Sequence, residues 1–412
     1  MKLLALVLCC ALVGPARADA DGYQQLLAAA RLIIPGKNGG PIKTKARIDP
    51  EENLRLERLA VARNTPALFK VRQALKTGIT LSEGWDKLGY KSSDSLFRAE
   101  DGFRDLAWQL RQQSDVCVAD GDLSGALDAR FTLLQFANIF LSDGAAHGPL
   151  VSHYIHELAV GGFEAIAIKL DAQPCRAAIA RLQTERIRRP EYAQHTRASK
   201  EEHLKWLREV VGPKPVGPEW KQELFDSGRR WGMGLRDEQI EEIVKNGSAP
   251  VIERTAHNFD LLIARDEMSY STARQVDLPQ LDETSISTPR EDLLKQDLRF
   301  QHEVDTTELL LLEGALELRA IRLETGKYSP EFLAPQDPFA SGKHLIYRPK
   351  NDGYLLYSIG PDGVDDEGAA IQSILRNPYI RITDRDGHKI EIYDRTNFLL
   401  PKSTGDILAP VL

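Results

Sequence analysis

Residues 123–141 read LSGALDARFTLLQFANIFL, and Leu123, Leu127, Phe131, Leu134, Ala137 and Leu141 recur along them at intervals of three and four. That period marks an α-helix with one apolar face. Asp143-Gly144 breaks the run, and a second helix is expected from about Pro149 to Leu170. Two helices joined by a short Gly-containing connection fold back to bury both apolar faces. The expected fold is therefore mainly α, with a helical hairpin in its body.

The same reading extends towards the N-terminus. One helix is expected near Gln24, ending at Pro35-Gly36. Another should begin at Asp49-Pro50, where Asp caps and Pro suits the first turn. Leu54, Leu59, Leu68 and Leu75 carry it to Gly78. Ahead of these, Lys2 precedes an apolar run from Leu3 to Val13, followed by Ala16-Arg17-Ala18. This pattern predicts a secretory signal over residues 1–18, with Asp19 the first mature residue and an extracytoplasmic location, periplasmic or released.

Towards the C-terminus, Gly212-Pro213-Lys214-Pro215-Val216-Gly217-Pro218 cannot continue a helix, and a polar stretch covers Ser269 to Thr288. The expected divisions are a helical domain over 19–211, a helical or linker region over 212–287, and a module over 288–412. Thr288-Pro289-Arg290-Glu291 has the form of a capping box. The long helix it opens carries Leu309, Leu312, Leu316, Ala320 and Leu323 as one apolar stripe and stops at Gly326. Hairpins are expected around Lys350-Asn351-Asp352-Gly353 and around Asp386-Gly387. The module is thus α+β, a long helix with short antiparallel strands.

Charge and motifs bound the function. The net charge of -7 becomes -9 once Lys2 and Arg17 leave with the signal, which disfavours nucleic acid as a partner. No stretch after the signal is apolar for long enough to span a bilayer. The chain has no Gly-x-Ser-x-Gly elbow, and Ser341-Gly342-Lys343-His344 lacks the upstream Gly of a phosphate loop. Cys117 and Cys175 remain in the mature chain as an even pair, either bonded or as two separate thiols.

Two clusters could bind metal. Asp362, Asp365, Asp366 and Glu367 crowd one Gly-containing loop, and closely spaced carboxylates on a loop can supply calcium's oxygen ligands, though the spacing is not that of an EF-hand. A solvated acidic turn is the plainer alternative. His147, His153, His156 and Glu157 form the other cluster; His153 and His156, three apart, share a helix face. His156-Glu157 has no second His at metalloprotease spacing, so a site there needs a further ligand, His147 or His195 being candidates. Partly buried or capping histidines are the alternative. The charged run from Arg181 to Arg208 mixes signs and reads as a solvated helical face.

The order Ala315 to Arg322, Gly326-Lys327-Tyr328, Asp337-Pro338-Phe339 and Tyr357-Ser358-Ile359-Gly360-Pro361-Asp362-Gly363 resembles the C-terminal half of the major pseudopilins of type II secretion. That resemblance implies a long helix packed on a small antiparallel sheet and a calcium-binding acidic loop. The chain departs from those proteins in lacking a prepilin-peptidase site, and its long helix is too charged for an anchor. Three blocks, Ala62 to Leu68, Gly121 to Leu170 and the Gly-Pro-Asp-Gly ending, are also similar to a family of exported bacterial proteins of uncharacterised function with a helical body and such a tail.

Together these readings favour an exported, non-enzymatic binding or assembly component of the cell envelope, with an unknown protein partner there and a calcium-ordered loop. The alternatives are an exported metal-dependent hydrolase using His147, His153 and His156, and a pseudopilin-like component of type II secretion.

Overall fold

A computed structural model describes residues 20–33, 50–77, 79, 93–141, 148–211, 237–276, 289–371, 379–383, 389–393, 403–410 and 412. The fold is mainly helical, with a small antiparallel sheet near the C-terminus. Helices α1 (Ala20–Leu32), α2 (Pro50–Thr77) and α3 (Ser93–Asp120) pack on one another. The expected hairpin follows as α4 (Leu123–Leu141) and α5 (Gly148–Val160), which pack closely together. Then come α6 (Glu164–Ala167), α7 (Ala172–Arg188) and α8 (Tyr192–Trp206), the last running into a π turn at Leu207–Val211. Helices α9 (Asp237–Asn246), α10 (Ala249–Asp266) and α11 (Tyr270–Ala273) precede the long α12 (Pro289–Thr325).

Two local features differ from the periodicity. The second hairpin helix does not run unbroken to Leu170, because Gly161 and Gly162 end it and a one-turn helix follows. Gly162 takes φ 69°, and a Cβ on it would lie 2.9 Å from Arg111 Nη2, so the break both needs glycine and admits an arginine. Helix α2, by contrast, continues through Pro66. Proline supplies no N–H there, and the side chains of Asn64 and Thr65 donate to the carbonyls of Ala60 and Val61 beside the gap.

Helix α12 is buried on more than a stripe. Leu309, Leu312, Leu316 and Ala320 are buried as expected, but so are Leu310, Leu311, Ala315 and Leu318, whereas Leu323 is exposed. The cause is that α12 is flanked by α5, α7 and the sheet at once, so apolar side chains outside a single stripe are buried too. One continuous apolar cluster runs from Leu26 in α1 to Leu412. Among the described residues no helix is long and apolar enough to cross a membrane.

The sheet has the order β1 (Ile346–Lys350), β2 (Gly353–Ser358), β5 (Ile407–Leu408), all antiparallel. Lys350 pairs with Gly353, so the first expected hairpin turns where its sequence places it. Strands β3 (Tyr379–Thr383) and β4 (Lys389–Tyr393) form a separate hairpin, Tyr379 opposite Tyr393; its expected turn at Asp386-Gly387 lies outside the described residues. Gly314 lets β2 approach α12, since a Cβ there would sit 2.6 Å from Leu356 Cδ2. Asp337 ties the segment after α12 to the sheet, accepting from Ser358 Oγ (2.8 Å) and from the backbone N–H groups of Phe339 (2.9 Å) and Ile359 (3.0 Å).

Phe103, Phe136 and Phe140 join α3 to α4 with ring centroids 5.3–6.1 Å apart, all fully buried. Replacing a buried Phe by Ala loses transfer energy and leaves a cavity. Phe136→Ala should therefore cost about 3–5 kcal/mol in urea denaturation. Exposed Phe69→Ala should stay within about 0.5 kcal/mol.

Candidate metal centre

His153 and His156 lie one turn apart on α5, and the structure brings two acids from α12 against them. Asp305 and Glu308 are also three residues apart, so each helix offers a pair of side chains on one face. His153 Nδ1 donates to Asp305 Oδ1 at 2.7 Å, while His156 Nε2 lies 3.2 Å from Glu308 Oε2 and 4.0 Å from Asp305 Oδ1. Glu157 completes the cluster from α5. The ligand atoms fall into two groups, His153 with Glu157 and Asp305, and His156 with Asp305 and Glu308, each within 4.8 Å. Two atoms bound to one ion at about 2.1 Å can be no more than about 4.2 Å apart. The three distances given are all below that limit.

Asp305 is the buried centre. Its second oxygen accepts from Arg189 Nη2 at 2.6 Å, and both side chains are almost fully enclosed. Arg189 caps the C-terminus of α7, so the carboxylate joins α5, α7 and α12. A charge-assisted hydrogen bond to one oxygen leaves the other directed at the histidines, an arrangement that orients ligands in metal sites.

Burial sets the electrostatics. Burial opposes ionisation of Asp305, but the charges of His156, His153 and Arg189 outweigh it and hold the carboxyl well below the usual range. Burial also opposes protonation of His153, and there Asp305's charge and hydrogen bond prevail, raising it to about 9. His156, fully enclosed, is pushed down to about 4, chiefly by burial. Burial, then the charge of Glu308, pushes Glu157 up to about 8. Burial, then the charge of Asp305, pushes Glu308 up to about 7 against the opposing charges of His153 and Arg189. Without an ion the cluster thus keeps one firm carboxylate against two cations.

Among the described residues, His156 Nδ1, Ser152 Oγ one turn before it, and Arg189 Nε and Nη1 are buried without a hydrogen-bond partner. Each atom left so costs about 1–3 kcal/mol, which water or a bound group would relieve. His153 is 20 % and Glu308 28 % exposed, so the cluster opens to solvent on one side while Asp305 and His156 close the other.

The remaining expected residues are placed as follows. His147 lies outside the described residues. His195 is buried on α8 with Nε2 3.4 Å from Ser199 Oγ, and belongs to neither ligand group. The further candidate ligands are Asp305 and Glu308, more than 140 residues away in sequence. Arg186 and Arg189, read as part of a solvated face, instead bind Glu313 and Asp305 of α12.

The acidic loop is held by the protein's own groups. Asp365 accepts from Arg348 (3.0 Å), Tyr357 Oη (2.8 Å) and the Glu367 N–H (2.9 Å). Asp406 accepts from the N–H groups of Asp366 and Gly368, and Arg274 grips the carbonyls of Pro361 and Asp362. Asp362 caps Val364 N–H at 3.1 Å. Among the described residues, Asp362, Asp365, Asp366 and Glu367 supply no set of three ligand atoms within 4.8 Å. Cys117 on α3 and Cys175 on α7 are free thiols.

Compared with protein-family models, curated proteins and solved structures, the chain has no match.

Removing one member of a buried ion pair strands the other and costs about 3–5 kcal/mol, whereas an apolar pair of similar volume is tolerated. Asp305→Ala, measured by urea denaturation in chelator, should lose that much. The double variant Asp305→Leu with Arg189→Met should recover most of it.

Proposed function

We propose that this chain is an exported helical protein that binds divalent transition metal between α5 and α12, and that the bound metal serves hydrolysis. The observation that carries the reading is the pairing of His153 and His156 with Asp305 and Glu308 across two packed helices, with one side open. The ligands are imidazole and carboxylate without thiolate, a combination suited to zinc, iron or manganese and not to copper(I) or an iron–sulfur cluster. A group of three protein ligands leaves positions for water, and metal-bound water is a nucleophile at neutral pH. Arg189 would act from behind Asp305, fixing the carboxylate that faces the metal.

Elemental analysis of the purified full chain, after exposure to zinc and desalting, should find at least one ion per chain. His153→Ala and Asp305→Asn should each lose it while circular dichroism confirms the fold. A wild-type protein that retains no transition metal contradicts the proposal.

The C-terminal module supports a second reading, an envelope assembly component resembling the pseudopilins, with calcium ordering the loop of Asp362, Asp365, Asp366 and Glu367. Its favouring observation is the packing of β2 on the long α12, in which Gly314 permits the close approach. On this reading Asp365→Ala lowers the melting temperature only when calcium is present. An equal loss in calcium and in chelator rejects calcium there.

A further inference from the structure

Resting on the metal-binding reading, we infer that the centre holds two divalent ions, one on His153, Glu157 and Asp305, the other on His156, Glu308 and Asp305, with the Asp305 carboxylate between them. The first support is the grouping itself. The five side chains do not form one compact set; they form two sets of three that share Asp305 alone.

The second support is the direction of the imidazoles. His153 presents Nδ1 and His156 presents Nε2, so the two rings approach the acids of α12 with different nitrogens. His153 lies against Asp305 and His156 against Glu308, one helical turn further along α12. Side chains three residues apart on parallel faces are about 5 Å apart. That spacing suits two ions at the roughly 3.5–4 Å of two-metal sites better than one ion reached by all five residues.

The third support is Arg189. Its hydrogen bond occupies Asp305 Oδ2, leaving Oδ1, the atom facing both histidines, as the bridging oxygen. Charge then fixes what else the pair of ions must hold. Glu157, Asp305 and Glu308 bring three negative charges when ionised, against one positive charge on Arg189. One divalent ion would cancel the remainder; two would leave a surplus that anionic oxygen from solvent or substrate could balance. Two ions so placed would stabilise both the attacking and the leaving oxygen of a displacement.

The test uses the full chain freed of metal and reloaded with manganese(II). Bound ions are counted after equilibrium dialysis, and the electron paramagnetic resonance spectrum is recorded on the same sample. The inference expects two ions per chain and an exchange-coupled spectrum. Glu157→Gln and Glu308→Gln should each reduce the count to one, with an isolated six-line signal. The wild-type spectrum needs no variant, so an unfolded mutant does not block the test. One ion in the wild type, with an uncoupled spectrum, overturns the two-ion centre and leaves metal binding intact. No bound ion overturns both.

Discussion

A single buried carboxylate constrains this molecule. Asp305 lies in the middle of the 37-residue helix α12, almost without solvent, and an isolated charge there would be unstable by several kcal/mol. It persists because Arg189 from the end of α7 and His153 from α5 both donate to it. Each of those contacts fixes a rotation of one helix about its axis. The long helix cannot slide or turn without stranding a charge, and the apolar residues on either side of Asp305 are thereby kept in register with their neighbours.

Two further arginines hold α5 at its other end. Arg130, fully buried, donates to the carbonyls of Leu158, Ala159 and Gly161, while Arg111 reaches Gly161 alongside it. These are carbonyls left open where the helix ends at Gly161-Gly162, and positive charge at a helix C-terminus is favourable. Helix α5 is therefore clamped at its C-terminus by α3 and α4 and at its centre by α12. His153, through which α12 holds the centre, and its neighbours His156 and Glu157 are thereby held by the scaffold, as the proposed metal site would require.

The architecture was largely legible because it follows from local rules. Helical spacing from Leu123 to Leu141, proline at the starts of α2 and α12 and glycine after α12 all act within a turn or two of the chain. The break at Gly161-Gly162 escaped because an apolar run on both sides outweighed two adjacent glycines. The centre was half legible. His153 and His156 are recognisable from sequence as neighbours on one helix face, but their partners stand about 150 residues away on a helix whose most evident pattern is its apolar residues. The signal that would have found them is Asp305-x-x-Glu308 within a leucine-rich helix, since acids at that spacing on a buried element need partners. Arg189 was hidden for the opposite reason, lying in a run of mixed charges from which no local rule selects the one residue that turns inward. In the acidic loop, composition shows only that the carboxylates are close in sequence; the fold adds that Arg348, Tyr357 and the Glu367 N–H donate to Asp365 and that Arg274 fixes the loop's carbonyls.

Anomalous diffraction from crystals of the full chain soaked in zinc would test the account most directly, because it reports position as well as occupancy. The account predicts anomalous density between α5 and α12, within bonding distance of His153 or His156 and of Asp305. Density confined to the loop of residues 362–367, or a join between α5 and α12 that stays free of metal, would contradict it.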